Sequence, residues 1–296
     1  MMQVTTRVRE LTPLRVRRDV VRIRHALRMP TSRWRTLPDV LIIGAQRSGT
    51  SSLYKYLGAH PSVVLPLRKE TEFFSRRHAR DVDWYRAHFP LAVRSRLRDH
   101  PLLTFEATPD YLLYPAAPHR AAQLLPAAKI IVLLRNPIDR AFSHYRHTVR
   151  LGFEWLTFEE ALDAEDSRLA DEIREMQINR SFWPRAFNHF SYVTRGLYAM
   201  QIQRWLECYA RDDFLFIKSE DFFSDPREAF ARVLEFLHLP PWTPRSFMNH
   251  SDPFGKKVYG AMSGRARDTL TRKFEVPNRE LEELLGPDFA WANSLM

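Results

Sequence analysis

The sequence has little cysteine, little glycine and no long apolar run. Its single cysteine, Cys208, excludes an intrachain disulfide bond and is typical of a protein from a reducing compartment. No apolar run is long enough to cross a bilayer or to form the core of a signal peptide, so we expect a cytoplasmic protein. The H-E-x-x-H and C-x-x-C patterns are also missing, so the sequence gives no support for a metal site.

Two of the nine glycines lie in one short loop. This loop, residues 44–52, follows the apolar residues 40–43 and precedes residues 53–57, which predicts a strand, a turn and a helix. Glycine permits positive φ angles, and a helix N-terminus offers unpaired N–H groups to an anion. The usual ATP-binding loop has lysine where this chain has Thr50, and the cation here is Arg47. We therefore expect a phosphate-binding loop for a nucleotide other than an ordinary Mg-ATP complex.

A second apolar segment ends in a basic residue. Residues 129–134 are rich in branched apolar side chains, which is typical of a strand buried on both faces, and Arg135 follows them directly. A magnesium-dependent P-loop enzyme carries an aspartate at this point. Ser143 follows in a predicted helix, and a guanidinium with a nearby hydroxyl suits a phosphate monoester. The two sites together predict a ligand with phosphates at two ends.

The overall pattern alternates strands with helices. We predict an α/β protein with a three-layer, P-loop-like fold, in which helices flank a central parallel sheet and ligands bind beyond the carboxyl ends of the strands. The predicted strands are residues 40–44, 63–66, 102–106, 129–134 and 214–218. The predicted helices are residues 51–59, 119–125, 139–151, 157–177, 198–210, 226–237 and 279–285.

The first 37 residues form a basic N-terminal arm, and residues 38–296 form the catalytic domain in this prediction. The arm holds ten arginines against two acidic residues, whereas the rest of the chain is nearly neutral. We favour a solvated or partly disordered arm. The alternative is a basic amphipathic helix that lies on an anionic membrane, at its cytoplasmic face. Binding to nucleic acid ranks last, and we expect no specific nucleic-acid partner.

These motifs, in this order, resemble the sulfotransferases that use 3′-phosphoadenosine 5′-phosphosulfate (PAPS). The sequence is most similar to the branch that acts on glycans such as heparan sulfate, in a bacterial-like form. The resemblance spans roughly residues 38–293 and rests on the order and spacing of many short motifs, each of which is weak alone. Besides the two phosphate motifs, they include residues 60–61, 69–74, 84–85, 106–111, 195–198, 263–265 and 277–279.

The resemblance implies a donor site with four parts. The 5′-phosphosulfate is expected to bind the loop residues Arg47, Ser48, Gly49, Thr50, Ser51 and Ser52. The 3′-phosphate is expected at Arg135 and Ser143, and Tyr198 is expected to line the adenosine pocket. A C-terminal loop, Ser263, Gly264 and Arg265, completes the site. Relatives carry lysine in place of Ser263, so this contact is expected to be weaker or to come from Lys256, Lys257 or Arg267.

The same resemblance assigns the catalytic residues. Glu70 is expected to be the base that takes the acceptor proton, and Arg47 to stabilise charge on the leaving phosphate, without a metal ion. If the strand at 63–66 continues, Glu70 and Glu72 share one face. The alternative for both is ion pairing with Lys69 or nearby arginines, and Glu72 is equally a candidate for a substrate contact.

The sequence thus predicts a PAPS-dependent sulfotransferase that modifies a hydroxyl or amine of a glycan, a glycolipid or a small molecule. A P-loop kinase of a small molecule is the rival enzyme, which Thr50 and Arg135 disfavour. A non-enzymatic protein that binds nucleic acid or membranes through its basic arm is the third alternative.

Overall fold

The computed structural model describes residues 14–93, 102–179, 182, 184–250 and 260–291. Within these described residues, five parallel strands form one sheet with the order β2-β3-β1-β4-β5. These strands are β1 (Val40–Gly44), β2 (Val63–Val64), β3 (Leu103–Ala107), β4 (Lys129–Leu134) and β5 (Phe214–Lys218). The predicted α/β fold with a central parallel sheet is confirmed, and the two strands that carry the phosphate motifs, β1 and β4, are neighbours.

Helices cover both faces of the sheet. They are α1 (Leu14–Arg28), α2 (Thr50–Leu57), α3 (Val82–Arg86), α4 (Ala117–Leu124), α5 (Pro137–Arg150), α6 (Phe158–Asp163), α7 (Glu165–Ile178), α8 (Arg185–Phe190), α9 (Tyr198–Leu206), α10 (Ser219–Ser224), α11 (Pro226–Phe236) and α12 (Gly264–Leu285). Alternate residues of β1 pack into different cores, Leu41 and Ile43 into one and Val40 and Ile42 into the other. Each residue of β1 is therefore buried, as in a three-layer fold.

Three helix predictions were wrong by more than two residues, and one of them, 198–210, ends at Leu206. Residues 157–177 form two helices, and the first is capped by reciprocal hydrogen bonds between Thr157 and Glu160. The predicted helix 279–285 is the end of a 22-residue helix, α12, which continues through Pro277. A proline inside a helix costs about 3 kcal/mol. The buried stripe of Ala266, Leu270, Phe274 and Leu281 along α12 offsets that cost.

The strand prediction at 63–66 was also wrong in length. β2 contains only Val63 and Val64, and Pro66 follows two residues later. Proline has no N–H to donate to a neighbouring strand, so pairing ends here. The chain beyond β2 therefore reaches the edge of the sheet as an irregular segment and not as a strand.

Part of the N-terminal arm is helical. Of the two alternatives for this arm, the helix is observed over Leu14–Arg28. The ring of His25 lies 5.3 Å from Trp84 and 4.4 Å from His88 between ring centroids, and its Nε2 is 2.9 Å from the carbonyl oxygen of Trp84. Helix α1 is therefore in contact with the domain. None of the helices in the described part of the chain is both long and apolar enough to cross a membrane.

Candidate active site

The loop after β1 turns tightly before α2 begins. Arg47 and Gly49 have positive φ angles of 71° and 103°, and Gly49 is the N-cap of α2. A Cβ atom at Gly49 would meet ring carbons of Phe223 at 3.1 Å, which is closer than ordinary van der Waals contact. Glycine is therefore required here by both backbone conformation and space. The predicted strand, turn and helix are confirmed, with α2 starting one residue earlier than expected.

A side chain that follows β4 and one on α5 reach this loop. The Arg47 Nε donates to Ser143 Oγ at 3.0 Å. The Arg135 Nη1 donates to the carbonyl oxygen of Arg47 at 3.3 Å. The hydroxyl of buried Tyr198 donates to the carbonyl oxygen of Arg135 at 3.0 Å. The structure thus brings the two predicted phosphate motifs together, and it uses Tyr198 to hold the backbone that carries Arg135.

A cavity of about 590 Å³ opens at this point. We call it the loop cavity, and its lining includes Arg47, Arg135, Asp139, Phe142, Ser143, Arg146, Ser219, Glu220, Phe223, Asn249 and Arg267. Its volume lies within the range of pockets that hold small ligands and cofactors. Four arginines face two carboxylates, so the cavity is suited to an anion, and Arg267 contacts Asp139 across it at 3.6 Å.

The loop also holds a buried hydroxyl without a partner. Ser48 is fully buried, and its Oγ makes no hydrogen bond in the described part of the chain. Such a group costs about 1–3 kcal/mol when it is left unsatisfied. A phosphate oxygen at the N-terminus of α2 is an acceptor of the kind that Ser48 lacks, so these residues fit a phosphate-bearing co-substrate.

The other predicted hydroxyls of the loop have different surroundings. Thr50 is buried and Ser51 is half-buried. Ser52 is buried, and its Oγ accepts a hydrogen bond from the His250 backbone N–H at 2.9 Å. Their predicted roles toward the ligand stay predictions.

The C-terminal motif is placed at the start of α12. Ser263 caps this helix by accepting from the Ala266 N–H, and its hydroxyl also donates to Glu159. Gly264 and Arg265 form the first turn. These three residues are not among those lining the loop cavity, whereas Arg267, one of the proposed substitutes, is. Lys256 and Lys257 lie outside the described residues, and the contact of this motif with the ligand stays a prediction.

Glu70 lies at the same edge of the sheet. We call residues 69–77 the Glu70 segment. The Glu70 N–H donates to the carbonyl oxygen of Ala107 at 3.2 Å, and Ala107 ends β3 beside Ile42 of β1. The Glu70 side chain is 43% exposed and pairs with Lys69. Its carboxylate is therefore accessible from outside, close to the strand that leads into the phosphate loop.

The expectation that Glu70 and Glu72 share one strand face was wrong. Both residues have φ angles of 61°, so the backbone turns twice in three residues. Glu72 is buried and pairs with Arg76 and with Arg77, the latter at 3.0 Å. Of the two alternatives for Glu72, the ion-pair partner is observed. Glu70 keeps an exposed carboxylate, whereas Glu72 holds the segment in place.

Sequence reasoning missed the role of Glu106. This fully buried carboxylate accepts hydrogen bonds from four hydroxyls, those of Thr71, Tyr85, Thr108 and Tyr111. Burial raises the pKa of Glu106, although the hydrogen bonds from Thr71 and Tyr111 oppose this. Because Thr71 follows Glu70 directly, Glu106 fixes the chain beside the candidate base. An acidic residue in a mainly apolar strand was the signal available in the sequence.

Asp110 links the Glu70 segment to a distant part of the chain. Its carboxylate accepts from Arg76 at 2.9 Å and from Arg195 at 2.8 Å. Burial opposes ionisation here, but the two guanidinium groups outweigh it and lower the pKa of Asp110 below its ordinary value. No sequence pattern indicates this pairing, because Arg195 lies 85 residues away from Asp110.

The chain is similar in sequence to proteins whose activity is known. The family model described as "Sulfotransferase domain" matches residues 37–252. Heparan sulfate glucosamine 3-O-sulfotransferase 6 of Mus musculus is 30% identical over 284 residues, which cover 87% of this chain and 74% of that protein. Bifunctional heparan sulfate N-deacetylase/N-sulfotransferase 3 of Homo sapiens is 36% identical over 217 residues, or 69% of this chain and 23% of that protein.

A similar fold is found among solved structures. The crystal structure of a sulfotransferase from Alicyclobacillus acidocaldarius superimposes with a TM-score of 0.67 and 30% sequence identity. The superposition covers 84% of this chain and 96% of that one.

Proposed function

Since this chain belongs to the family of sulfotransferase domains and is a PAPS-dependent sulfotransferase, we propose that it transfers the sulfuryl group to a hydroxyl or amine of a glycan. The observation that carries the proposal is the meeting of Arg47, Arg135 and Ser143 in one cavity, with the exposed carboxylate of Glu70 at the same sheet edge. The glycan acceptor is supported by the similarity to heparan sulfate sulfotransferases over most of the chain.

In the proposed mechanism, the residues of the loop cavity bind the donor and Glu70 acts on the acceptor. PAPS, when bound, supplies an activated sulfuryl group. Arg135 and Ser143 would hold the 3′-phosphate, because a guanidinium fork and a hydroxyl match its oxygens. Arg47 and the N–H groups at the start of α2 would donate to the 5′ side and stabilise the charge that builds there. Ser48 would add its hydroxyl, and Tyr198 keeps Arg135 in place through its backbone.

Glu70 would take the proton from the acceptor. The acceptor oxygen or nitrogen forms a bond to sulfur while the sulfur–oxygen bond to the donor breaks, and the acceptor proton passes to the Glu70 carboxylate. Lys69 pairs with the Glu70 carboxylate and holds it beside the acceptor position in this proposal. We expect no metal ion in this reaction, because two arginines provide the positive charge.

A transfer assay with labelled PAPS tests this function. We expect the label to enter heparan sulfate in preference to extracted glycolipids or small alcohols. Incorporation only into glycolipid or a small alcohol would contradict the glycan acceptor. The kinase alternative is tested in the same samples with labelled ATP and magnesium, and phosphate transfer would support it.

We also propose that α1 contacts an anionic membrane surface. The support is a stripe of exposed apolar side chains along one face of the helix, Val16, Val20, Ile23 and Leu27. Arg24 is exposed beside this stripe, as expected for a basic amphipathic helix. Sedimentation with phosphatidylglycerol vesicles tests this contact. Binding should be lost in Ile23→Glu and absent with phosphatidylcholine; binding that is unchanged in Ile23→Glu would contradict it. The cytoplasmic location stays a prediction.

A further inference from the structure

A second large cavity lies between α1 and the domain. We call it the basic groove; its volume is about 770 Å³ and it is lined by Arg18, Val21, Arg22, His25, Arg68, Arg77, Arg80, Trp84 and His88. Five of these nine residues are arginines, and none of the lining residues that the structure describes is acidic. This concentration of positive charge has no role in the donor site described above.

Helix α1 turns its basic side toward this groove. Arg18, Arg22 and His25 recur at helical spacing on the lining face, whereas the apolar stripe on the opposite face is exposed. Arginines of the helix therefore face arginines of the domain. Like charges repel, so an anion in the groove would stabilise this packing.

Some of these arginines have no carboxylate partner. Arg77 pairs with Glu72 and Arg22 lies 3.8 Å from Asp19. Within the described ranges, no ion pair is formed by Arg18, Arg68 or Arg80. Three guanidinium groups are thus available to an anion that enters the groove.

His88 is the second, independent sign of a ligand. Its side chain is only 3% exposed, lines the groove, and has no hydrogen-bond partner at either ring nitrogen in the described part of the chain. Burial lowers the pKa of His88 to about 3, and the positive charges of His25 and Arg68 add to this effect. A neutral imidazole retains one N–H donor, and a buried donor without an acceptor is unfavourable.

We propose that the basic groove is a second anion site that binds a sulfate, phosphate or carboxylate group carried by the acceptor. Arg18, Arg68 and Arg80 supply the charge, and the N–H of His88 donates to an anion oxygen. The groove adjoins the candidate base, since Arg68 is two residues from Glu70 and lies in the field of the Glu72 and Glu70 carboxylates. Only the source of the anion rests on the proposed function; the site itself does not.

Binding of inorganic pyrophosphate to the PAP-saturated full chain tests the site. PAP, adenosine 3′,5′-bisphosphate, fills the loop cavity, so the added pyrophosphate reports on the groove. With ¹⁵N-labelled histidine, we expect the ring signals of His88 to shift as pyrophosphate is added, until the site is saturated. These signals are assigned by their absence from the spectrum of His88→Gln. Arg68→Gln and Arg80→Gln should each weaken this binding at least about tenfold. Arg174→Gln, an exposed arginine elsewhere, should leave it unchanged.

Three results would overturn the proposal in distinguishable ways. A chain that binds PAP but shows no saturable His88 shift lacks the groove site, while the proposed function stands. Binding that Arg68→Gln and Arg80→Gln both leave unchanged, with PAP affinity as the folding control, places the anion elsewhere. If Arg68→Gln does not raise the KM for heparan sulfate, and phosphatidylglycerol vesicles displace pyrophosphate, the anion comes from lipid and the acceptor assignment fails.

Discussion

The loop cavity and the Glu70 segment lie at one edge of the same sheet but are held in different ways. Arg47 and Arg135 follow neighbouring parallel strands, so backbone pairing brings them together. The Glu70 segment has no strand of its own. Buried side chains fix it instead, with Thr71 bonded to Glu106 and Arg76 bonded to Asp110. We infer that changes in the cavity alter donor affinity, whereas changes around Glu70 alter transfer or folding.

Glu70→Gln is expected to give the largest difference between the effect on sulfuryl transfer and the effect on PAP affinity. The amide cannot take a proton, so transfer should fall by about 10²–10⁴-fold, the usual contribution of a general base. PAP affinity, measured by calorimetry, should change less than about twofold because no donor contact is lost. Glu207→Gln, at an exposed position, is the matched control. An equal loss of transfer and PAP binding would assign Glu70 to structure.

The side-chain anchoring of the Glu70 segment is tested by Asp110→Asn. The change leaves buried Arg195 without its carboxylate and removes one of the two carboxylates that pair with Arg76, the other being Glu72. This should lower the free energy of unfolding by about 3 kcal/mol. Denaturant unfolding measures this, with the exposed Asp171→Asn as control. The difference from wild type should shrink as the pH falls below 3.8 and through the lowered pKa of Asp110, because the wild-type carboxyl is then protonated. A stability equal to that of the control would contradict the anchoring.

The same contrast explains what the sequence predicted. Apolar runs with β-branched residues were sufficient for β1, β4 and β5, and their parallel order then placed Arg47, Arg135 and Ser143 at one edge. The contacts around Glu70 could not be predicted from the sequence, because they join residues far apart in the chain, such as Asp110 and Arg195. Glu106 was visible as an acid in a strand, but its four hydroxyl partners come from different segments.

Two further predictions differ from the structure because tertiary packing outweighs the local sequence preference. The predicted helix 279–285 begins after Pro277, yet the buried stripe of α12 carries the helix through this proline. The basic composition of α1 favoured a solvated arm, yet His25 packs against Trp84 and His88.

The smallest effect is expected from Ser143→Ala. It removes the hydroxyl that accepts from Arg47 Nε at 3.0 Å and would contact the 3′-phosphate. The loss of one hydrogen bond made by an uncharged hydroxyl costs about 1 kcal/mol, so PAP affinity should fall about fivefold with unchanged stability. Ser167→Ala, on an exposed helix position, is the control. If Ser143→Ala loses transfer but keeps full PAP affinity, Ser143 acts on the acceptor and not on the donor, which would contradict its assignment to the loop cavity.

Calorimetry of Arg135→Ala with two nucleotides tests the donor cavity most directly. The cavity is proposed to recognise the 3′-phosphate through Arg135, so the affinity for adenosine 3′,5′-bisphosphate should fall at least about tenfold. The affinity for adenosine 5′-phosphate, which lacks that group, should stay within about twofold. An equal loss of affinity for both nucleotides would contradict the 3′-phosphate site. It would also contradict the proposal that PAPS is bound at both of its phosphate-bearing ends.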